Sequence, residues 1–358
     1  MIKHIIYFLQ SILVYICFIL ARILGLNLSR KIFAFLFLSL GSFFKSKKII
    51  LKNLTFFSKV ATNPDKEKII KSMWKNYGMT FIEYVFLDYF KKNNNIITIQ
   101  DNADLQKIHI DKKPVIFISG HFANFELMSM EITKKNIPLA TIYRPLNNIF
   151  LNPFMEYLRK KYICKNQIKK GIKGVKKTIE YINNNNSIAL MIDQRVSEGE
   201  RINFFKEPAL TTTLPAQLSS KFEMDIIPVF IERNTNNSFN IEFQKRINPT
   251  SFKNKLELSE ELNKVIEKMI VKNPYQWIWT HRPTRVSRGG SSRQLRSCRG
   301  QRSRARREPR LHAEAVAGGQ CEAPPVFGRD GAGARRGVVR VLGHRGLLSC
   351  DPLRRQDG

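Results

Sequence analysis

Gly120-His121-Phe122-Ala123-Asn124-Phe125-Glu126 sets an imidazole on a short turn and a carboxylate five residues after it. Histidine is the side chain whose unperturbed pKa lies nearest neutrality, so it can take a proton from a hydroxyl and return it within one reaction cycle. A carboxylate on the other ring nitrogen fixes the tautomer and favours the imidazolium that forms. His121 is therefore the candidate general base and Glu126 the candidate group that orients it. A glutamate in the first turn of a helix, favoured by the helix dipole, gives the same spacing without any chemistry. The residues by themselves leave both readings open.

The surrounding pattern says what holds the histidine in place. Pro114-Val115-Ile116-Phe117-Ile118-Ser119 is a continuous apolar run and predicts a buried strand, while Phe125, Leu127, Met128, Met130 and Ile132 predict an amphipathic helix to about 135. His121 then falls at the C-terminal end of a strand, where α/β sheets form their sites. Further on, the pattern predicts strand 138–143, helices 153–163 and 173–184, strand 187–192, helix 213–222, strands 226–231 and 239–244, and helix 258–271. Strands alternating with helices argue an α/β core over 114–284 with a mostly parallel sheet flanked by helices. Before it, 27–113 reads as an interfacial and helical region, where Trp74, Tyr77, Phe81, Tyr84 and Val85 form an apolar packing stripe.

Other polar residues gather at predicted strand ends. Tyr143-Arg144-Pro145-Leu146-Asn147-Asn148 follows one strand, Ile192-Asp193-Gln194-Arg195 closes another, and Phe204-Phe205-Lys206-Glu207-Pro208-Ala209-Leu210-Thr211 comes next. Arg144 has the planar fork that binds phosphate bidentately, with a surface ion pair as the plainer alternative. Asp193 and Arg195 are placed to pair with Arg144 or to meet an acceptor, and Asp193 equally suits a structural role. Phe204 and Phe205 fit the core or the wall of an apolar binding site, Trp277 and Trp279 alternate as packing residues do, and His109 is read as structural.

In this order and at these intervals the motifs resemble the lipid A biosynthesis acyltransferases, the lauroyl and myristoyl transferase family within the lysophospholipid acyltransferase-like superfamily. Gly-His-x4-Glu matches that superfamily's His-x4-Asp/Glu, and Asn273-Pro274-Tyr275-Gln276-Trp277-Ile278-Trp279-Thr280-His281-Arg282 is similar to the family's closing motif. The resemblance runs from residue 1 to about 283. Two positions depart from it: Lys206 stands where the family pattern has glycine, and Pro283-Thr284 replaces an Arg-Trp.

The resemblance implies a glycerolipid acyltransferase-like fold. It further implies an O-acyltransferase that moves a fatty acyl chain from acyl carrier protein to a hydroxyl of a lipid A precursor. His121 and Glu126 would be catalytic, and Arg144, Asp193 and Arg195 would bind substrate. The donor thioester would be attacked directly, with no metal and no cofactor beyond the acyl carrier protein itself. The lack of a nucleophile elbow agrees with direct attack. His281 and Arg282 could meet lipid phosphate. Two alternatives stand beside this reading: another phospholipid or glycolipid acyltransferase, and a non-enzymatic basic protein that binds membrane or nucleic acid.

Residues 1–26 read as a membrane anchor. Ile5 to Leu20 is almost continuously apolar and can be stretched to about Leu26, against a need for roughly 20 residues to span. A spanning helix and one lying in the membrane plane both fit. Ile32 to Phe44 is too short to span and is expected in the interface or packed on the domain. Arg22, Arg30, Lys31, Lys45, Lys47 and Lys48 follow the first segment and Lys3 precedes it, which places the body in the cytoplasm; the resemblance implies that the membrane is a bacterial inner membrane. No small-residue cleavage signal follows the apolar run.

From Arg285 onward the composition changes. Residues 285–358 contain no Lys, Ile, Asn or Tyr and hold 17 Arg against 6 acidic residues. Lys, Ile, Asn and Tyr come from AT-rich codons and Arg, Gly, Ala and Pro from GC-rich ones, so the switch reads as fused or out-of-frame foreign DNA. The alternative is a natural Arg-rich disordered tail. About a third of the formal charge of +31 therefore sits in that segment, and the remaining lysines suit an anionic lipid surface. With no nucleic-acid-binding motif in view, nucleic acid is not the expected partner. Cys17 and Cys164, and the three cysteines of the tail, show no metal or disulfide spacing, which agrees with a reducing compartment.

Overall fold

A computed structural model describes residues 2–44, 47–61, 64–194 and 199–280. The expectations for Arg195, His281, Arg282 and the Arg-rich tail lie outside the described residues.

The N-terminal helices are α1 (Ile2–Leu24), α2 (Leu26–Phe44), α3 (Lys47–Phe57), α4 (Lys66–Glu83) and the short α5 (Leu87–Lys92). The core follows as β1 (Ile97–Asp101), α6 (Leu105–Asp111), β2 (Ile116–Ser119), α7 (Glu126–Lys134) and β3 (Leu139–Tyr143). Then come α8 (Asn152–Leu158), β4 (Asn166–Lys169), α9 (Ile172–Asn183) and β5 (Ser187–Met191). A hairpin of β6 (Glu200–Phe204) and β7 (Glu207–Thr211) leads to α10 (Leu214–Phe222), β8 (Ile226–Arg233), β9 (Phe239–Phe243) and α11 (Lys255–Lys272).

Seven strands form one sheet in the order β1-β9-β8-β2-β5-β3-β4. Every neighbouring pair is parallel except β8 and β9. The α/β architecture with a mostly parallel sheet is thus the one expected. The central strands are apolar without alternation because helices cover both faces. Along β2, Phe117 faces a cluster with Leu127 and Met130 of α7, whereas Ile116 and Ile118 face the opposite cluster with Leu258 and Leu262 of α11.

The second apolar stretch, expected either in the interface or against the domain, packs on the domain as α2, which crosses α4 closely. A Cβ on Gly78 would come within 2.2 Å of the Phe33 carbonyl oxygen, so the crossing requires glycine there. A buried ion cluster fastens the same contact: Glu83 of α4 accepts from Arg30 of α2 at 2.6 Å and pairs with Arg233 of β8. Burial alone would raise the Glu83 pKa, but the two guanidiniums outweigh it and hold the carboxyl below its ordinary value. Asn124, in the turn after β2, donates to the other oxygen of Glu83 at 2.9 Å, so this cluster also supports the turn that carries His121.

Candidate active site

β2 and β5 are parallel neighbours with Ser119 opposite Met191. Two residues further along each strand are His121 and Asp193, so the register that aligns the strands also brings these two side chains together. His121 Nδ1 lies 2.7 Å from Asp193 Oδ1, and the His121 backbone N–H donates to Asp193 Oδ2 at 2.7 Å. A carboxylate only accepts, so Nδ1 carries the proton and Nε2 presents its lone pair. The side-chain amide of Gln194 lies 3.0 Å from Nε2. Asp193 is 5% exposed and also accepts from the Trp277 indole at 2.8 Å.

The turn between β2 and α7 is tightly held. A Cβ on Gly120 would approach the Phe122 ring to 2.7 Å and Asp193 Oδ2 to 3.2 Å, so a larger residue would push apart the very groups the site aligns. Ala123 adopts a left-handed φ of 40°, an uncommon conformation for a residue with a Cβ, and it is bound on both sides. Its N–H donates to the Gln276 carbonyl at 3.1 Å and its carbonyl accepts from Thr80 at 2.9 Å. Ile278 N–H donates to the His121 carbonyl at 3.2 Å, so the 274–280 segment clamps the turn from the far side.

Two expectations change here. Asp193, and not Glu126, holds the imidazole Nδ1: the Glu126 carboxylate accepts from Arg159 Nε at 2.8 Å, from Arg159 Nη2 at 2.6 Å and from the Tyr84 hydroxyl. The cause is helix geometry, since Glu126 opens α7 and its side chain is directed to the face where the largely covered Arg159 and the buried Tyr84 lie. Burial acts to lower the Arg159 guanidinium, but Glu126 and Tyr84 outweigh it and raise its pKa above the ordinary value. For Asp193, read as meeting an acceptor or Arg144 or equally as structural, the contacts seen are those of a structural partner: it accepts from the His121 ring and backbone and from Trp277, because the parallel register sets it beside the ring. Trp277, read as packing alone, is fully buried and in addition holds the carboxylate that holds the base.

His121 opens onto a cleft of about 420 Å³, whose walls include Phe125, Glu126, Arg144, Arg159, Lys170 and Gln194. Among the described residues neither Arg144 nor the Lys170 ammonium has an ion-pair partner. Much of Lys170 is open to solvent, yet crowding by the cleft wall and then the nearby Arg144 guanidinium lower its pKa. The one carboxylate named in the wall, Glu126, is taken up by Arg159, so two neighbouring cations without an ion-pair partner among the described residues favour an anion. Lys170 was not among the residues read from the sequence, because β4, which carries it to the cleft, gives no apolar strand signal. Phe204 and Phe205 are buried, their rings meet each other edge-on, and Phe205 meets Phe57 the same way, so they line the core.

Fold and site together define an α/β protein with a histidine oriented by a carboxylate at the C-terminal edge of parallel strands, facing a cationic cleft. The chain belongs to the bacterial lipid A biosynthesis acyltransferase family, which it matches over residues 1–285. It is an acyltransferase of lipid A synthesis, and the family implies a lipid A precursor as substrate. Among solved structures, it is similar to the 1-acyl-sn-glycerophosphate acyltransferase PlsC of Thermotoga maritima at 12% identity and a TM-score of 0.34, covering 70% of this chain and 99% of that one. No curated protein matches the chain as a relative. Ile2–Leu24 is long and apolar enough to cross a membrane, with a mean hydropathy of 2.1.

Proposed function

We propose that the chain transfers a fatty acyl group from an acyl carrier protein thioester to a hydroxyl of a lipid A precursor, on the cytoplasmic face of the bacterial inner membrane. The observation that carries this reading is the His121–Asp193 pair opening onto a cationic cleft. The acceptor hydroxyl displaces the Gln194 amide from Nε2 and gives its proton to that nitrogen as its oxygen attacks the thioester carbon. Collapse of the tetrahedral intermediate breaks the C–S bond, and the imidazolium returns the proton to the departing thiolate. Asp193 stabilises the imidazolium between the two steps.

Arg144 and Lys170 hold a phosphate of the acceptor, and Arg195 is kept as a candidate for the same group. Glu126 acts through Arg159 and the cleft wall as a positioning residue. Lys169, Lys173, Lys176 and Lys177 are exposed on β4 and α9, one to seven residues along the chain from Lys170, and add positive charge that an acidic carrier protein meets favourably.

The test incubates the purified full-length protein with a lipid A precursor and a panel of acyl carrier protein and coenzyme A thioesters, with products read by mass spectrometry. Product is expected with carrier-protein donors, and His121→Ala should reduce it by about 10²–10⁴-fold. Unchanged turnover in that variant would refute the mechanism. Protease added outside spheroplasts should spare the catalytic domain, and its cleavage there would refute the orientation.

A further inference from the structure

We propose that the loop joining β3 to α8 is a second membrane-contacting element, seated in the lipid interface beside α1 so that the catalytic cleft opens at the bilayer surface. The loop starts at the site: Arg144, Pro145, Leu146 and Asn147 are part of the cleft wall. It then lies along α1. The Asn148 amide donates to the Tyr7 carbonyl at 2.7 Å and the Tyr15 hydroxyl donates to the Phe150 carbonyl at 2.8 Å. Phe8 meets Phe150, and Tyr15 meets Phe154, in edge-to-face contacts of 5.4 and 5.5 Å. Tyr7 and Tyr15 are eight residues apart, or about 12 Å along a helix, so the loop follows more than two turns of α1.

The outer surface of the loop is what a bilayer interface would select. Ile149 is 52% exposed and Leu146 and Phe150 each 38%, next to helix residues Leu9, Ile12 and Ile16 that are exposed as well. Residues 145–155 contain no charged side chain. An apolar patch of this kind marks an interaction surface, and its continuity with α1 identifies the occupant. Only 17% of the most apolar window of α1 is buried by protein, so whatever covers α1 also covers the loop fixed to it. A lipid bilayer meets both demands, since uncharged, aromatic-bearing loops partition into the interfacial zone. Arg144, at the cleft end of the loop, would then lie at headgroup level with its guanidinium toward the site.

The placement follows from α1 and the loop alone; its consequence for turnover rests on the acyl-transfer reading. An acceptor whose acyl chains stay in the bilayer could reach Nε2 without being lifted clear of the lipid. The physical test puts Phe150→Trp into the full-length protein in vesicles with brominated acyl chains. Trp74, Trp277 and Trp279 are buried and supply the background, which wild-type protein measures. The variant is expected to lose more emission in brominated than in unbrominated vesicles, beyond the wild-type change. Equal quenching of variant and wild type would overturn the proposal.

Ile149→Glu with Phe150→Glu supplies the second arm. Membrane association through α1 should persist, while transfer to a vesicle-borne acceptor falls roughly ten-fold or more, because two side chains lose their apolar environment. Transfer to the same acceptor dispersed in detergent should be unchanged; an equal loss in both media would count against the proposal. If the wild-type protein transferred no acyl group at all, the proposed activity would fall and bromolipid quenching would still decide where the loop lies.

Discussion

Asp193 meets His121 twice, through the ring Nδ1 and through the backbone N–H, both at 2.7 Å. The double contact fixes ring position and tautomer together, since the carboxylate is anchored to the same residue whose side chain it orients. Trp277 is the third partner, so the geometry of the base depends on a segment some 150 residues downstream.

Asp193→Asn is expected to lower kcat by about 10²–10⁴-fold with little change in KM. An amide can present its N–H to Nδ1 and so favour the tautomer that places the proton on Nε2, where it blocks the base. Glu126→Gln should change kcat less and reduce thermal stability more, because it weakens the pairing of the largely covered Arg159 guanidinium. Parallel measurement of kcat and melting temperature separates the two. A larger kcat loss from a well-folded Glu126→Gln than from Asp193→Asn would reverse the assigned roles.

Arg144→Ala and Lys170→Ala should each raise KM for a phosphorylated acceptor by roughly ten-fold and leave kcat within a factor of a few, as expected for a charge-assisted contact made equally in ground and transition states. The pH dependence carries a sign. The Lys170 pKa is lowered, so its ammonium is lost at a lower pH than that of an ordinary lysine. In wild-type protein, KM should therefore rise with pH on the alkaline side sooner than for a site built on exposed lysines. The Lys170→Ala variant should lack that rise, which steady-state assays across the alkaline range would reveal.

Glu83→Gln should destabilise the fold by about 3–5 kcal/mol, because it leaves the buried Arg30 and Arg233 without their shared counter-ion. The sign for pH follows from the depressed pKa. The stabilisation is fully present above the unfolded-state value of a glutamate and is lost as pH falls through the lower folded value. Urea titrations at neutral and acid pH should show the difference between wild type and variant shrinking at the acid end. A constant difference would mean that the carboxylate is not what stabilises the cluster.

The elements that were legible in the sequence are those whose burial demands apolar residues. β2, β3, β5 and β8 lie inside the sheet and read as continuous apolar runs, and α7, α9 and α11 show helical spacing. β1, as Ile97-Thr98-Ile99-Gln100-Asp101, and β4, as Asn166-Gln167-Ile168-Lys169, were not legible because they are short edge strands with polar side chains. At the site, His121 could be read from its place after an apolar strand. Its partner could not: Glu126 is five residues away in sequence, whereas Asp193 is 72 away and arrives only through the β2–β5 register. The stretch Ile192-Asp193-Gln194-Arg195 showed that the strand ended in polar groups, without showing which way the carboxylate turned.

The hairpin between β6 and β7 gives a stability prediction that is independent of chemistry. Phe204 pairs with Glu207, leaving Phe205 and Lys206 as a two-residue turn with φ of 51° and 61°. Two consecutive left-handed residues match the twist of the flanking strands, and such turns favour Asn or Gly because a Cβ crowds the following carbonyl. Phe205 is retained for other reasons: its ring is buried against Phe57 and its N–H donates to Glu267 at 2.7 Å. Lys206 has no such contact among the described residues, and it stands where the family pattern carries glycine. Lys206→Gly should relieve left-handed strain of about 1–2 kcal/mol. Part of that gain is offset, because glycine gives the unfolded chain about 0.4–1 kcal/mol more conformational freedom to lose. The net expectation is a modest rise in melting temperature with unchanged acyl transfer, and a lower melting temperature would show that Lys206 makes a stabilising contact through its side chain.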